Sequence, residues 1–140
     1  CTLTKPPKHI LNALRNVHEE VQAKYYGCGL TIPTAIEGLK ILDLGSGSGR
    51  DCYIAAQLIG ENGSVVGVDM TGEQLNVANK YIDYHQEKFA YKNSNVKFLK
   101  GNIEQLDELN LEKGSLTLLR NLWTVLKGLA LQGTSQDLLG

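Results

Sequence analysis

The run Ile41-Leu-Asp-Leu-Gly-Ser-Gly-Ser-Gly-Arg-Asp51 constrains this chain more than any other stretch. Residues 39–44 are mostly apolar, the character of a strand buried on both faces. They enter a turn with glycines at 45, 47 and 49, after which helical periodicity begins. Glycine takes positive φ without steric cost and lets a ligand lie against the main chain. Bare N–H groups at a helix N-terminus point with the helix dipole, so such a turn can receive an anion or a carboxylate.

The glycine spacing narrows the ligand. It reads G-x-G-x-G, and Arg50 stands where a dinucleotide fingerprint would place its last glycine. That departure argues for a nucleoside cofactor without a pyrophosphate, and S-adenosylmethionine is the candidate. Gly45, Ser46, Gly47 and Gly49 would form the wall of its site.

Composition closes off several classes. A chain of 140 residues fits one domain, large enough to bury roughly two thirds of its unfolded surface. Net charge is −1 with 42% hydrophobic residues, so there is no basic footprint for nucleic acid. No apolar run approaches the ~20 residues of a membrane span. Three cysteines without C-x-x-C spacing make neither a disulfide framework nor a zinc site. A reducing cytoplasm is the expected location. The chain opens with Cys1 and its only methionine is Met70, so the natural start, with any targeting segment, is expected upstream.

Along the chain, Ile10, Leu11, Leu14, Val17 and Val21 recur at threes and fours, predicting helix over about 7–25 with a break near Asn16. Residues 26–33 read as loop. Strand one is 39–44, a helix follows over 49–59 with Gly60 as its C-cap, and strand two is 64–69. A further helix starts at Thr71, where Gln74 completes a capping-box pattern, and buries Leu75, Ala78, Ile82 and His85 or Phe89. Strand three is 95–99. This order means a parallel sheet, the N-terminal βαβαβ half of a doubly wound α/β fold. A fourth strand should lie beside the first, because parallel strands are normally paired and covered. Yet Leu116, Leu119, Leu122, Trp123, Leu126 and Leu129 repeat at helical spacing, so helix is expected over about 115–131.

Chemistry-bearing residues gather at the carboxyl ends of these strands. Asp69 ends strand two, about 20 residues past the glycine loop, where an acid accepts hydrogen bonds from both ribose hydroxyls. Otherwise it is simply a helix N-terminal charge. Asp43, inside an apolar strand, must be paired or face the ligand, whose amino group is a suitable partner through water or backbone. The alternative is a buried acid satisfied by neighbouring N–H groups. After strand three, Asn102 can read an adenine amino group while Ile103 packs on the ring; the alternative is an ordinary turn with Glu104 capping a short helix.

Val17-His-Glu-Glu20, Tyr25-Tyr-Gly-Cys-Gly-Leu30, Ile41 to Cys52 and Val68-Asp-Met70 together resemble the arsenite methyltransferase family over about residues 5–114. The glycine loop alone would indicate any class I methyltransferase; the Tyr-Tyr-Gly-Cys-Gly-Leu segment is far more specific. The resemblance implies a Rossmann-like fold and S-adenosylmethionine-dependent methylation of trivalent arsenic held by cysteine thiolates. It implies Cys28 as an arsenic-site thiolate and Cys1 as its redox partner, with Asp43, the loop 45–49, Asp69, Met70, Asn102 and Ile103 at the cofactor. It further implies a thiol reductant, glutathione or thioredoxin. Thiolates suit a soft, thiophilic centre. Arsenic brings a lone pair rather than a proton, so positioning supplies much of the rate and no general base is needed.

The resemblance stops at residue 114. The family continues with a strand ending in Ser-Asn-Cys and carries two further arsenic-site cysteines there; this chain has neither. The change is abrupt, as a splice junction or a frame change would make it. Three regions follow: an N-terminal helical and cysteine-loop region (1–34), a cofactor-binding half (35–114) and a divergent helical tail (115–140). Cys52 reads as a small core residue, and His9, His18 and His85 as surface or boundary residues. The chain as written is expected to bind arsenite weakly and to methylate it little. Competing readings are another small-molecule methyltransferase, a non-catalytic cofactor-binding or interaction remnant and, last, a nicotinamide oxidoreductase.

Overall fold

The computed structural model describes residues 5–24, 32, 35–102, 104 and 117–120. Helices α1 (Lys8–Arg15) and α2 (Glu19–Ala23) precede β1 (Lys40–Leu44), α3 (Arg50–Ile59), β2 (Ser64–Asp69), α4 (Gly72–Lys80), α5 (Ile82–Lys88), β3 (Val96–Lys100) and β4 (Thr117–Arg120). The four strands form one parallel sheet in the order β3-β2-β1-β4. This is the parallel half-sheet of a doubly wound α/β fold anticipated from the strand–helix alternation.

The break expected near Asn16 divides the N-terminal helical stretch. Val17 donates back to Leu14, and His18 then starts α2 as its N-cap, its Nδ1 accepting from the Glu20 N–H at 3.1 Å. α1 lies over α3, and α2 packs beside α4, where Glu20 pairs with Lys80 at 3.1 Å. Gln57 on α3 donates to the Ala13 carbonyl at 2.9 Å and accepts from Asn16 at 2.9 Å. With the sheet on its other side, α3 buries Cys52, Tyr53, Ile54, Ala55, Ala56 and Ile59 almost completely. Each large apolar side chain so buried stabilises the fold by about 1.5–3 kcal/mol.

Tyr53 anchors the middle of the core. Its hydroxyl donates to the Ala78 carbonyl at 2.5 Å, and its ring stacks on His85 at 3.6 Å. His85 follows its place in the buried stripe rather than the surface or boundary reading: it is 1% exposed. Its Nε2 accepts from the His18 N–H at 3.1 Å and its Nδ1 faces the Tyr81 carbonyl at 2.7 Å. Those partners require a neutral ring protonated on Nδ1. Burial accordingly pushes its pKa down to about 4.

Two local expectations change. Helix 71–89 is two helices meeting at Tyr81, and Thr71 makes no side-chain cap, so the Thr71–Gln74 capping box does not form. Asp69 supplies the missing acceptor, taking the Thr71 N–H at 2.8 Å. The larger correction concerns the tail. Residues 117–120, expected as helix, are a strand paired parallel with β1, Ile41 opposite Thr117 and Leu44 opposite Arg120. Local leucine periodicity lost to the backbone donors and acceptors along β1, which need partners once buried. The rest of that predicted helix lies outside the described residues, as do Cys1, Cys28, Tyr25, Tyr26 and Ile103.

Candidate functional site

The carboxyl ends of β1, β2 and β3 meet at the glycine loop. Gly45, Gly47 and Gly49 have φ of 78°, 55° and 88°, a left-handed backbone that other residues adopt only under strain. Gly49 is also the N-cap of α3. The N–H groups of Gly45 and Ser46 both donate to the Val68 carbonyl, at 2.8 and 3.1 Å, stitching the loop to β2. Gly47 donates to Asp69 Oδ2 at 2.9 Å, and Gly49 to the Ser46 carbonyl at 3.0 Å. These four N–H groups are therefore turned inward. They hold the loop and Asp69 in place rather than standing bare for an anion.

Asp69 gathers the strand ends. Its two carboxylate oxygens accept from Gly47 and Thr71, and its carbonyl accepts from Gly101 at 3.1 Å, just beyond β3. Each carboxylate oxygen keeps a further lone pair, so the clamped group can accept from two outside donors. It is half-buried, and the adjoining Met70 is 67% exposed, an apolar surface beside the acid. Asn102 stands past the end of β3, where its side-chain oxygen accepts from the Glu104 N–H at 3.0 Å. That turn leaves the Asn102 amide nitrogen for other partners.

Ser48 fastens the loop from the opposite side, donating to the Val21 carbonyl of α2 at 2.7 Å. Ser46 is also buried, yet its hydroxyl has no hydrogen-bond partner among the described residues. A buried unpaired hydroxyl costs about 1–3 kcal/mol, an expense that a polar ligand group at the loop would relieve.

Asp43, buried within β1, accepts from the Cys52 thiol at 3.2 Å. Desolvation, then the nearby Asp51, and more weakly Asp69, push its pKa up to about 7, against the lowering effect of the Cys52 hydrogen bond. Asp51 is held by Arg50 at 2.9 Å. An acid poised at neutrality beside two others favours a ligand carrying positive charge.

Two residues passed over in the sequence shape the site. A Cβ on Gly67 of β2 would stand 2.7 Å from the Phe98 ring and 2.9 Å from Ser46 Cβ. A Cβ on Gly49 would stand 2.6 Å from the same ring. Phe98 thus fills the space that both glycines vacate and sets how closely β3 approaches the loop. A lone glycine inside a strand pattern is a signal of such close approach. Of the residues expected at the cofactor, Asp43, Gly45, Ser46, Gly47, Gly49, Asp69, Met70 and Asn102 lie along these strand ends. The cavity of about 460 Å³ between Glu61, Asn62, Lys92 and Asn95 opens at the other ends of β2 and β3 and includes none of them. No group of three metal-ligating side chains occurs among the described residues.

Residues 36–122 match the family described as methyltransferase domain. The chain is 57% identical over 115 residues to the arsenite methyltransferase of Homo sapiens, an alignment covering 81% of this chain and 31% of that protein. It is 52% identical over 119 residues to the arsenite methyltransferase of Aquipseudomonas alcaligenes, covering 85% and 34%. The crystal structure of an arsenic(III) S-adenosylmethionine methyltransferase from Chlamydomonas reinhardtii superposes with a TM-score of 0.77 at 49% identity, over 82% of this chain and 40% of that one. The chain thus spans about a third of the length of the two relatives.

Proposed function

Because the chain belongs to the methyltransferase-domain family, we propose that it carries the S-adenosylmethionine-binding half of an arsenite methyltransferase. The cofactor would supply a sulfonium methyl group, an electrophile needing no metal. Asp69 accepts the two ribose hydroxyls through the lone pairs that Gly47 and Thr71 leave open. Asp43, ionised when a cation arrives, takes the amino group of the methionine part. Asn102 offers its amide to the adenine edge, with Ile103 on the ring and Met70 beside the ribose. Gly45, Ser46, Gly47 and Gly49 form the wall against which the ligand lies. Residues 35–114 are the cofactor half in this reading, preceded by the helical region 1–34 and followed by the divergent segment 115–140.

The substrate side rests on likeness to the relatives. Cys28 is the thiolate that holds trivalent arsenic, and Cys1 its redox partner, regenerated by glutathione or a thioredoxin-type reductant. The cytoplasm is the location that free thiols favour. The 140 residues hold three cysteines, one of them Cys52 within the core. With so few thiolates, this stretch of chain binds arsenite weakly and transfers methyl groups slowly. Transfer of label from methyl-labelled cofactor to arsenite at a rate near that of the longer relatives would refute this part.

The single observation that carries the cofactor reading is the clamped Asp69 carboxylate at the end of β2. Calorimetric titration with S-adenosylmethionine tests it. The wild-type chain should bind, and Asp69→Ala should lose binding by a factor of 10 or more, since charged hydrogen bonds contribute about 1.5–3 kcal/mol. Undiminished binding by Asp69→Ala overturns the reading.

A further inference from the structure

Cys52 and Asp43 form a pair that the cofactor reading does not account for. The thiol sits on the third residue of α3 and the carboxylate on the fourth residue of β1. They are 0% and 3% exposed, and Sγ stands 3.2 Å from Oδ2. A small apolar side chain at 52 would fill the same space and leave Oδ2 without this donor. Burial and the adjoining acid both push the Cys52 thiol pKa upward, so the group stays an S–H donor rather than a thiolate. The charged groups influencing Asp43 otherwise oppose its ionisation: Asp51 on α3, itself in an ion pair with Arg50, and Asp69 on β2. Among the described residues, Cys52 is the hydrogen-bonding group that favours the carboxylate.

We propose that Cys52 is a positioning residue of the cofactor site, its S–H···O hydrogen bond orienting the Asp43 carboxylate toward the bound cation and helping it to ionise there. This rests on the cofactor reading above and deepens it. One oxygen of Asp43 is held by the thiol, which leaves the other to meet the amino group. The thiol keeps its proton throughout and forms no covalent bond. Sulfur is a weaker donor than a hydroxyl, so it supports the carboxylate without competing strongly with an ammonium ligand.

Two measurements test this on the full 140-residue chain. The first, free of any cofactor, is a carboxyl-carbon NMR titration of Asp43, its signal identified by disappearance in Asp43→Asn. The midpoint should lie near 7 in the wild type, move to higher pH in Cys52→Ala, and return to or below the wild-type value in Cys52→Ser. The second is equilibrium dialysis with S-adenosylmethionine from pH 5.5 to 8.5. Affinity at pH 7 should fall about 3- to 10-fold in Cys52→Ala, the range of one hydrogen bond, and recover in Cys52→Ser. Its rise with pH should shift upward in Cys52→Ala and flatten in Asp43→Asn.

A purely structural role would lower the unfolding midpoint of Cys52→Ala while leaving the Asp43 titration and the pH profile of binding where they were, and that result overturns the inference. So does a Cys52→Ser chain that titrates like Cys52→Ala. Failure of the wild type to bind at any pH removes the cofactor reading and this inference together; binding with an unaltered profile in Cys52→Ala removes the inference alone.

Discussion

Gly67 shows how much can depend on a missing side chain. In β2 it pairs with Asp43 on one side and Phe98 on the other, and its absent Cβ is the space into which the Phe98 ring projects. Its φ needs no glycine; the close approach does. Gly67→Ala should therefore destabilise by about 1–3 kcal/mol, as overpacking of a tight core does. Phe98→Leu in the same chain should recover part of that loss, because the contact is with the ring. Urea unfolding of the two variants checks this, and additive losses would show that the alanine is tolerated elsewhere. Gly49 is held by two requirements at once, a φ of 88° and a ring 2.6 Å from its would-be Cβ. The positive φ could be inferred from the G-x-G-x-G spacing. The ring could not, because Phe98 lies far along the chain and only strand register brings it to the loop.

At the scale of elements, the tail settles a conflict that the sequence left open. Parallel pairing demanded a neighbour for β1, while the leucine spacing after Gly114 argued for helix. Pairing prevailed over residues 117–120. A strand with Ile41, Leu42, Asp43 and Leu44 all buried cannot leave one edge of N–H and C=O groups unmet without cost. Ending the chain after residue 114 should then strip β1 of its β4 partner. Amide hydrogen exchange at residues 41–44 should become at least 10-fold faster, with self-association rising at micromolar concentration. Unchanged protection in β1 would mean that β4 contributes nothing to that edge. The helices were more legible: the break at Asn16, the α3 limits and the Gly60 cap all follow from local signals. The Thr71 capping box was not, because Asp69, required where β2 ends, took the N–H of Thr71 itself.

Across the molecule, two buried titrations pull stability in opposite directions. His85 is neutral when folded, with a pKa of about 4 against 6.5 when free. The unfolded chain takes up its proton first, so the stabilisation present above pH 6.5 is lost as pH falls toward 4. Asp43 has a folded pKa of about 7 against 3.8 when free. There the folded chain holds the proton longer, so the contribution present below pH 3.8 is lost as pH rises through 7. Between pH 4 and 6.5 the two slopes oppose each other, and unfolding free energy should vary little from these groups. Asp43→Asn removes one slope and should uncover the other, stability rising by roughly 2–3 kcal/mol from pH 4 to 6.5. Urea midpoints for both chains measure it; parallel profiles would refute the burial of one of the two charges.

What the sequence determined by itself was everything carried by neighbours along the chain. The alternation of strands and helices, the glycine turn and the acid at the end of strand two were all readable, because turn chemistry and periodicity act over a few residues. Tertiary structure decided what depends on residues far apart in sequence. It turned the loop's N–H groups inward, set Phe98 into the gap left by Gly49 and Gly67, buried His85 between Tyr53 and the start of α2, and joined Cys52 to Asp43. It also made a strand of a segment with helical spacing. Burial made the difference each time: once water is excluded, a backbone or side-chain polar group takes whichever partner the fold brings within reach, and no local pattern specifies which one that is.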